Sequence, residues 1–171
     1  MKKKIYPSIL IIFFFIIFFV FYKSLQNSNI YTPSIVLDKK IPFFEAKTLD
    51  NDLLTSDEIF KKNEFYFINI WASWCIPCKE EHPFLMSLSE QKHIKIIGLN
   101  YKDTKDNSKR FLKELDNPYD IIILDNDGTI AIEWGAYGVP ESFLVYDKKI
   151  IKKIIGPLNL SSLREIKKLI K

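Results

Sequence analysis

Two cysteines, three residues apart, are the residues of this 171-residue chain whose types and spacing could do chemistry. Cys75 and Cys78 are its only cysteines. An apolar run rich in aromatic and β-branched residues precedes them at residues 65–71, and a helix-compatible run follows at residues 79–91. A C-x-x-C pair where a strand turns into a helix is typical of a redox dithiol. The helix N-terminus would stabilise the first thiolate, and the second thiol could attack the mixed disulfide that the first one makes.

Two other uses of the cysteines are weaker. A purely structural disulfide between residues so close in sequence would close a tiny loop and constrain the unfolded chain little. A zinc site would need histidines at a Cys₂His₂-like spacing. His82 lies only four residues past Cys78, and His93 opens a predicted strand. The sequence therefore predicts no metal and no cofactor other than the Cys75–Cys78 disulfide.

Hydrophobic periodicity predicts strands and helices that alternate along most of the chain, followed by a hairpin and a last helix. This order indicates an α/β layered domain with a mixed central sheet. The dithiol would lie at the C-terminal end of the central strand, where ligands bind in open α/β sheets. The predicted strands are residues 42–49, 65–71, 93–99, 119–124, 142–146 and 150–155, and the predicted helices are 53–62, 79–91, 107–115 and 162–170, the last opened by a capping box at Ser162–Glu165.

The N-terminus carries an uncharged, almost wholly apolar run of 18 residues, 5–22, behind three lysines. This length is at the lower limit for a helix that spans a bilayer. The lysines would stay in the cytoplasm, with the rest of the chain across the membrane. A cleaved signal peptide is the alternative, but no small-x-small cleavage site follows the run. We therefore expect an uncleaved anchor at residues 1–23, a tether at 24–36 and a folded domain at 37–171.

The charge of the chain gives no reason to expect an acidic partner. Its formal net charge of +4 comes from Lys2, Lys3, Lys4 and Lys23, and residues 24–171 carry 21 basic and 21 acidic groups. A nucleic-acid-binding face would need a clustered basic excess. The sequence therefore predicts no nucleic-acid partner.

Several segments in the same order resemble a known family. Residues 138–143, Gly-Val-Pro-Glu-Ser-Phe, resemble the cis-proline loop of the thioredoxin fold. Together with the dithiol, the chain from about residue 42 to 169 resembles the DsbE/CcmG family of membrane-anchored thiol:disulfide oxidoreductases. The segments that carry this closer resemblance are residues 78–82, 98–103, 115–119 and 135–141.

The resemblance implies both a fold and a role. The fold is α/β: a thioredoxin fold with a mixed central β-sheet flanked by helices, a central βαβ-type insertion and an N-terminal extension, behind one N-terminal transmembrane helix. The implied role is that of a reductant in cytochrome c maturation, single-pass in the bacterial inner membrane with its catalytic domain in the periplasm. It would keep the C-x-x-C-H cysteines of apocytochrome c reduced for haem attachment, directly or through a cytochrome-assembly thiol protein. A DsbD/CcdA-type transmembrane electron donor would re-reduce it.

The resemblance also assigns roles to residues near the dithiol. Cys75 is the expected attacking nucleophile and the more exposed thiol, and Cys78 is the resolving thiol. Pro77 is expected to tune the turn, and Pro140 matches the cis-proline beside the dithiol. Trp74 either shields the pair and contacts the substrate, or is an ordinary packing aromatic.

Two acidic residues and a groove complete the expected site. Glu81 and Glu141 match acidic positions of the family's active site, where a carboxylate could raise a thiol pKa and move its proton; the alternative is a pair of solvated surface acids. Tyr137 and Val139 are expected in the substrate groove. Thioredoxins proper carry a buried acid where this chain has Asn69. An asparagine cannot be a general base, so either Glu81 or water would replace that acid.

Other functions remain open from the sequence. A general anchored thioredoxin-like reductase of the periplasm is one alternative. A binding module that holds apocytochrome with the dithiol as a covalent clamp is another, and an oxidant that makes disulfides is a third. The reduction potential separates reductant from oxidant, since about −270 mV is thioredoxin-like and about −120 mV marks a strong oxidant.

Overall fold

The computed structural model describes residues 5–26 and 38–171. The chain divides into two units, Met1–Ile35 and Val36–Lys171. In the first unit, helix α1 covers Ile5–Gln26. Within the described residues, no helix reaches the length and apolarity that crossing a membrane requires. The membrane anchor stays a prediction, and the predicted tether lies outside the described residues except for 24–26, which end α1.

The second unit consists of two sheets and five helices among its described residues. The main sheet has five strands in the order β5-β4-β3-β6-β7, and β1 and β2 form a separate two-stranded hairpin. The elements in chain order are β1 (Glu45–Lys47), β2 (Leu53–Thr55), α2 (Ser56–Ile59), β3 (Phe65–Trp71), α3 (Ile76–Ser89), β4 (Ile94–Tyr101), α4 (Lys105–Leu115), β5 (Ile121–Asp125), α5 (Thr129–Glu133), β6 (Glu141–Tyr146), β7 (Lys149–Ile155) and α6 (Leu160–Leu169).

The main sheet is mixed, as the sequence predicts. Strand β3 lies at its centre, parallel to β4 and antiparallel to β6. Helix α4 connects the parallel strands β4 and β5 in the middle of the chain, while β6 and β7 form the closing hairpin. The β1–β2 hairpin meets the sheet edge through a Thr48–Ile123 bridge. The C-terminal end of β3, which leads to the dithiol, is therefore enclosed by neighbours on both sides.

Strand β3 is buried on both faces, which explains its nearly continuous apolar sequence. Phe67 and Trp71 belong to one hydrophobic cluster and Tyr66, Ile68 and Ile70 to the other, so alternate residues face opposite layers. Asn69, also buried, interrupts this pattern. A buried polar side chain at the centre of a sheet needs hydrogen-bond partners. Asn69 finds these partners in Glu81, Ser142 and Tyr119, which lie outside β3.

Several predicted boundaries were wrong near the first strands and the dithiol. The strand predicted at 42–49 is only β1, and the helix predicted at 53–62 is strand β2 followed by the single-turn helix α2. Thr55 caps α2, and Glu58 completes a capping box. Helix α3 starts at Ile76, three residues before the predicted start, because Cys75 itself is its N-cap.

The C-terminal half differs from the prediction in two places. Helix α5 was not predicted, because five residues are too few for a periodic pattern. Buried Asp125 stabilises this helix by accepting hydrogen bonds from the N–H groups of Ile130 and Ala131. The capping box predicted to begin at Ser162 was also wrong. Asn159 is the N-cap of α6, and Ser162 is its N3 residue. Asparagine is as strong an N-cap as serine, so two overlapping caps competed in the sequence.

Gly98 of β4 generates a stability prediction. A Cβ there would lie 2.8 Å from Nε1 of Trp71 and 2.9 Å from Cγ of Tyr119, two rings that stack with centroids 5.4 Å apart. Overpacking of a well-packed core costs roughly 1–3 kcal/mol. We expect Gly98→Ala to lower the free energy of unfolding by this amount, measured by urea unfolding of the full chain. Gly138→Ala is the control, since a Cβ there meets open space. Equal unfolding midpoints for the two variants would contradict this packing.

Candidate active site

The two cysteines lie at the start of α3, as predicted. Cys75 is the N-cap in an extended conformation, and its Sγ accepts the N–H of Cys78 at 3.1 Å. The two residues are joined by a disulfide. Both are buried, with Cys75 5% exposed and Cys78 2% exposed, so Cys75 is the more exposed by a small margin. After reduction, the N–H donor and the helix dipole would stabilise a thiolate at Cys75.

The loop before the disulfide is held by the loop that follows β4. The backbone N–H of Ser73 donates to Asp103 Oδ2 at 2.6 Å, and the Ser73 hydroxyl donates to Asp103 Oδ1 at 2.9 Å. Next to it, Nε1 of Trp74 donates to the carbonyl of Lys102 at 3.2 Å. The Trp74 ring is 57% exposed and is therefore not a core packing residue. The neighbouring Ile76, in the first turn with Pro77, is also exposed.

Asp103 is a site residue that the sequence did not single out for a role. Burial alone would raise the pKa of its carboxyl, but hydrogen bonds from Ser73, Asn100 and Thr104 together outweigh burial and lower the pKa. The ionised carboxylate therefore anchors the loop that leads to the dithiol. Asp103 lies in the segment 98–103, which carries part of the family resemblance. Its contact with Ser73 joins residues thirty positions apart, and a local sequence pattern cannot reveal such a contact.

The cis-proline loop lies beside the end of β3, because β6 begins at Glu141, opposite Ile70. The peptide bond between Val139 and Pro140 is cis, as predicted. Val139 packs against the hydrophobic cluster that contains both cysteines. Within residues 38–171, the backbone N–H and C=O of Val139 have no backbone hydrogen-bond partner. These peptide groups are available for an added strand.

Glu141 is buried, so the alternative of a solvated surface acid was wrong for it. Its Oε1 accepts the backbone N–H groups of Tyr137 at 2.8 Å and Gly138 at 3.2 Å. Its Oε2 lies 2.8 Å from Nζ of Lys153 in an ion pair. The Tyr137 ring is exposed and lies against the same ammonium group. Glu141 therefore holds the loop that carries the predicted groove residues.

Glu81 is also buried, 0% exposed, which again contradicts the surface alternative. Its Oε1 accepts Nδ2 of Asn69 at 2.8 Å, and its Oε2 accepts the backbone N–H of Leu158 at 2.7 Å. Burial raises the pKa of Glu81 to about 7, although the hydrogen bonds from Leu158 and Asn69 oppose the rise. The carboxyl can therefore gain or lose a proton near neutral pH.

Asn69 stands where thioredoxins carry a buried acid, and it donates a hydrogen bond to the buried acid Glu81. Its Oδ1 accepts the Tyr119 hydroxyl at 2.8 Å, which directs Nδ2 towards Glu81 and towards Oγ of Ser142 at 3.0 Å. The departure from thioredoxin at Asn69 is thus matched by a carboxyl from α3. Glu81 is the substitute predicted from the sequence, whereas Tyr119, Ser142 and Leu158 were not predicted. These residues come from distant segments, and nothing in their local sequence marks them.

The structure places the two histidines in different surroundings. His82 is buried, its Nε2 lies 2.9 Å from the carbonyl of Asp116, and its ring packs against Phe111. Its contacts join α3 to the end of α4. His93 is exposed, just before β4, at the end of the sheet away from the dithiol. Among the residues that the structure describes, no group of three or more potential ligands could hold a metal ion.

Similarity to known proteins agrees with this site. The Redoxin family model matches residues 37–169. The thiol:disulfide interchange protein DsbE of Escherichia coli K12 is 34% identical over 165 residues, which cover 93% of this chain and 89% of that protein. This chain belongs to the DsbE/CcmG family. CycY, a thiol:disulfide interchange protein of Rhizobium leguminosarum bv. viciae, is 48% identical over 105 residues, which cover 61% of this chain and 56% of CycY.

The fold is shared with solved members of the thioredoxin group. A thiol:disulfide interchange protein of Chlorobium tepidum TLS superposes with a TM-score of 0.65 at 20% identity, covering 80% of this chain and 99% of that one. The chain therefore has the thioredoxin-like α/β fold with a mixed sheet. Its family membership and its Cys75–Cys78 pair identify it as a thiol:disulfide oxidoreductase.

The predicted order of exchange is compatible with this geometry and stays a prediction. Reduced Cys75 thiolate would attack one sulfur of a substrate disulfide, form a mixed disulfide and release the other sulfur as a thiolate, which takes up a proton. Cys78 would then lose its proton and attack Cys75, which would restore the Cys75–Cys78 disulfide and release the second substrate sulfur as a thiolate that also takes up a proton. Glu81 follows Cys78 by one helical turn, so both project from the same face of α3. Proton transfer to Glu81 stays a prediction.

The raised pKa of Glu81 predicts that stability falls as pH rises. The folded carboxyl titrates at about 7 against 4.5 for an unperturbed one. Below pH 4.5 the carboxyl is protonated in both the folded and the unfolded chain, so it does not change the free energy of unfolding. Between pH 4.5 and 7 the carboxyl ionises in the unfolded chain first, so the free energy of unfolding falls. Above pH 7 it is ionised in both states, and the loss of stability stays constant. Relative to Glu81→Gln, the native protein should lose on the order of 3 kcal/mol of unfolding free energy from pH 4 to 8. Urea unfolding across this range measures it.

Glu80→Gln is the matched control for this variant. Glu80 is the adjacent acid on α3 and is exposed. Its substitution should leave the pH dependence of the wild type intact. If the stability curves of wild type and Glu81→Gln run parallel from pH 4 to 8, Glu81 does not titrate near 7 in the folded protein.

Proposed function

We propose that this oxidoreductase is a reductant of cytochrome c maturation. It would reduce a disulfide between the two cysteines of an apocytochrome c C-x-x-C-H motif, directly or through a cytochrome-assembly thiol protein. Haem can then be joined to the free thiols. Membership of the DsbE/CcmG family supports this role, and so do the family segments around Cys78, Asp103 and Glu141 in the sequence. A DsbD/CcdA-type transmembrane carrier would return the electrons.

The observation that carries the proposal is the surface around the buried disulfide. Trp74, Ile76 and Tyr137 are large apolar side chains that remain mostly exposed there. Val139, packed against the cysteine cluster, has free backbone groups in the described domain. An apolar rim beside an unpaired backbone fits a polypeptide that adds an extended segment, with backbone bonds for affinity and side-chain contacts for specificity. It therefore favours a protein disulfide as substrate over a small one.

We further propose that the chain is anchored in the bacterial inner membrane with its catalytic domain in the periplasm. The 18-residue apolar run and the three lysines before it support a single span with the N-terminus in the cytoplasm. A periplasmic domain also agrees with a dithiol that cycles through a disulfide, since that compartment permits disulfides.

The anchor predicts membrane retention of the intact chain. In cells that express the full sequence, we expect the protein to stay in the membrane pellet after alkaline carbonate extraction and to keep its N-terminal residues by mass spectrometry. A variant with Phe14 and Phe18 replaced by arginine should leave the pellet, because charges at the centre of a span cost about 2.5–3.5 kcal/mol each. A shortened chain in the soluble periplasmic fraction would instead identify a cleaved signal peptide.

The substrate can be identified by trapping the mixed disulfide. In the full chain with Cys78→Ala, Cys75 can attack a substrate but nothing resolves the bond. After purification without reductant, we expect an apocytochrome c or a cytochrome-assembly thiol protein bound to Cys75. The control is the variant that lacks both cysteines, which should capture neither.

Other outcomes of the trap would change the function. Capture of many unrelated secreted proteins would indicate a general reductase or an oxidant, and the reduction potential would distinguish these two. Capture of nothing would contradict thiolate attack by Cys75. A holding module would be identified if Cys75→Ser still supported cytochrome maturation in cells.

A further inference from the structure

One lysine contacts both ends of the loop of residues 135–141, which is called the substrate loop below. Lys153 lies on β7, next to Phe143 of β6. Its side chain is 9% exposed, and its Nζ donates to the carbonyl of Gly135 at 2.7 Å and pairs with Oε2 of Glu141 at 2.8 Å. A single ammonium group therefore contacts both the first and the last residue of the loop.

The same ammonium also supports the exposed ring of the loop. Nζ of Lys153 lies 4.5 Å from the centroid of the Tyr137 ring and 5.5 Å from that of Phe143. An ammonium over an aromatic face is attracted to it, more strongly when it is partly desolvated. Glu141 completes the arrangement by accepting the N–H groups of Tyr137 and Gly138. Backbone and ring of the loop are thus tied to one buried ion pair.

We propose that Lys153 is a positioning residue for substrate recognition. Through Gly135, Glu141 and Tyr137 it holds the substrate loop in the shape that presents the Tyr137 ring and the backbone of Val139 to an incoming polypeptide. Lys153 acts through these groups and makes no contact with the disulfide in the chemical step. Its loss should therefore weaken substrate binding more than it slows the exchange itself.

The charge of Lys153 matters more than its bulk. A neutral side chain of similar size would fill the space but leave the buried carboxylate of Glu141 without its counter-charge and the carbonyl of Gly135 without its hydrogen-bond donor. The guanidinium of arginine can serve both oxygens, because it carries several donors in one plane. Lys153→Arg should thus keep the substrate loop in its observed shape, whereas Lys153→Met should remove the contacts that hold this shape.

The inference rests on the thiol:disulfide activity of the family and not on the role in cytochrome maturation. An oxidised peptide with the sequence Cys-x-x-Cys-His serves as the probe, because it offers a disulfide in an extended chain. If the cytochrome role is wrong, the mixed-disulfide trap will capture other proteins. If the role of Lys153 is wrong, its substitution will leave the KM for the peptide unchanged.

The test compares three single variants of the full-length protein, which dilute dithiothreitol regenerates to the dithiol after each turnover. The direct reduction of the peptide by dithiothreitol is measured without protein and subtracted. For reduction of the peptide, Lys153→Met should raise KM by roughly tenfold or more, with a smaller change in kcat. Lys153→Arg should restore KM to within about threefold of the wild type. Lys152→Met is the matched control, since the neighbouring lysine pairs with Glu165 on the surface, and its KM should equal that of the wild type. An unchanged KM in Lys153→Met, or a fall in kcat alone, would overturn the proposal.

A double variant separates positioning from stability. Lys153→Met leaves Glu141 as a buried unpaired charge, which by itself could destabilise the domain. Adding Glu141→Gln removes that charge while the amide oxygen can still accept the N–H groups of Tyr137 and Gly138. We expect the double variant to unfold at nearly the urea concentration of the wild type and to keep the raised KM. If KM recovers together with stability, Lys153 has a structural role only.

Discussion

The burial of one carboxyl group, that of Glu81, is the constraint on which the rest of the site depends. A buried acid must find hydrogen-bond donors or become protonated. Glu81 does both, since its pKa rises to about 7 and its oxygens accept Asn69 and the backbone of Leu158. Asn69 can donate in this direction because Tyr119 occupies its oxygen. The dithiol helix, the central strand and the segment before α6 are thereby tied to one group.

The two buried acids of the site are satisfied in different ways, and this separates their roles. Glu81 has only neutral donors, so it remains able to exchange a proton at neutral pH. Glu141 has a cation, Lys153, and two loop N–H groups, so its oxygens are engaged in holding the substrate loop. The first acid follows Cys78 on the helix, and the second lies at the edge where the polypeptide is expected. In the proposed mechanism, proton transfer and substrate recognition would thus use separate carboxyl groups.

The site is assembled at the end of β3 because three segments meet there. The dithiol helix follows β3 directly, the loop after β4 anchors Ser73 through Asp103, and the substrate loop enters β6 opposite Ile70. A central strand with a parallel neighbour on one side and an antiparallel neighbour on the other brings the end of one and the start of the other to the same edge. This arrangement explains how a small domain can surround a short C-x-x-C motif with groups from distant parts of the chain.

Local sequence by itself determined the dithiol, its place between a buried strand and a helix, and the mixed α/β architecture. These depend on periodicity and on motifs within a few residues, which a single sequence displays. The cis-proline was predicted through the resemblance of the continuous segment Gly-Val-Pro-Glu-Ser-Phe to the cis-proline loop of the thioredoxin fold, since an X–Pro bond by itself is usually trans. Helix α5 was missed because a one-turn helix has no period to detect, and the capping box of α6 was misplaced because Asn159 competed with Ser162.

Only the tertiary structure decided which acids are buried and what holds them. The family resemblance marked Glu81 and Glu141 as site residues but not as buried ones, and Lys153 looks like one of many exposed lysines. Their burial follows from strand order and helix packing, which bring Asn69 and Leu158 to the carboxyl of Glu81 and Lys153 to that of Glu141. Residues 119 and 142 bond Asn69 in turn, and residue 135 bonds Lys153. Such contacts join segments far apart in the chain, and their energy depends on desolvation, a property of the folded environment that no residue type carries alone.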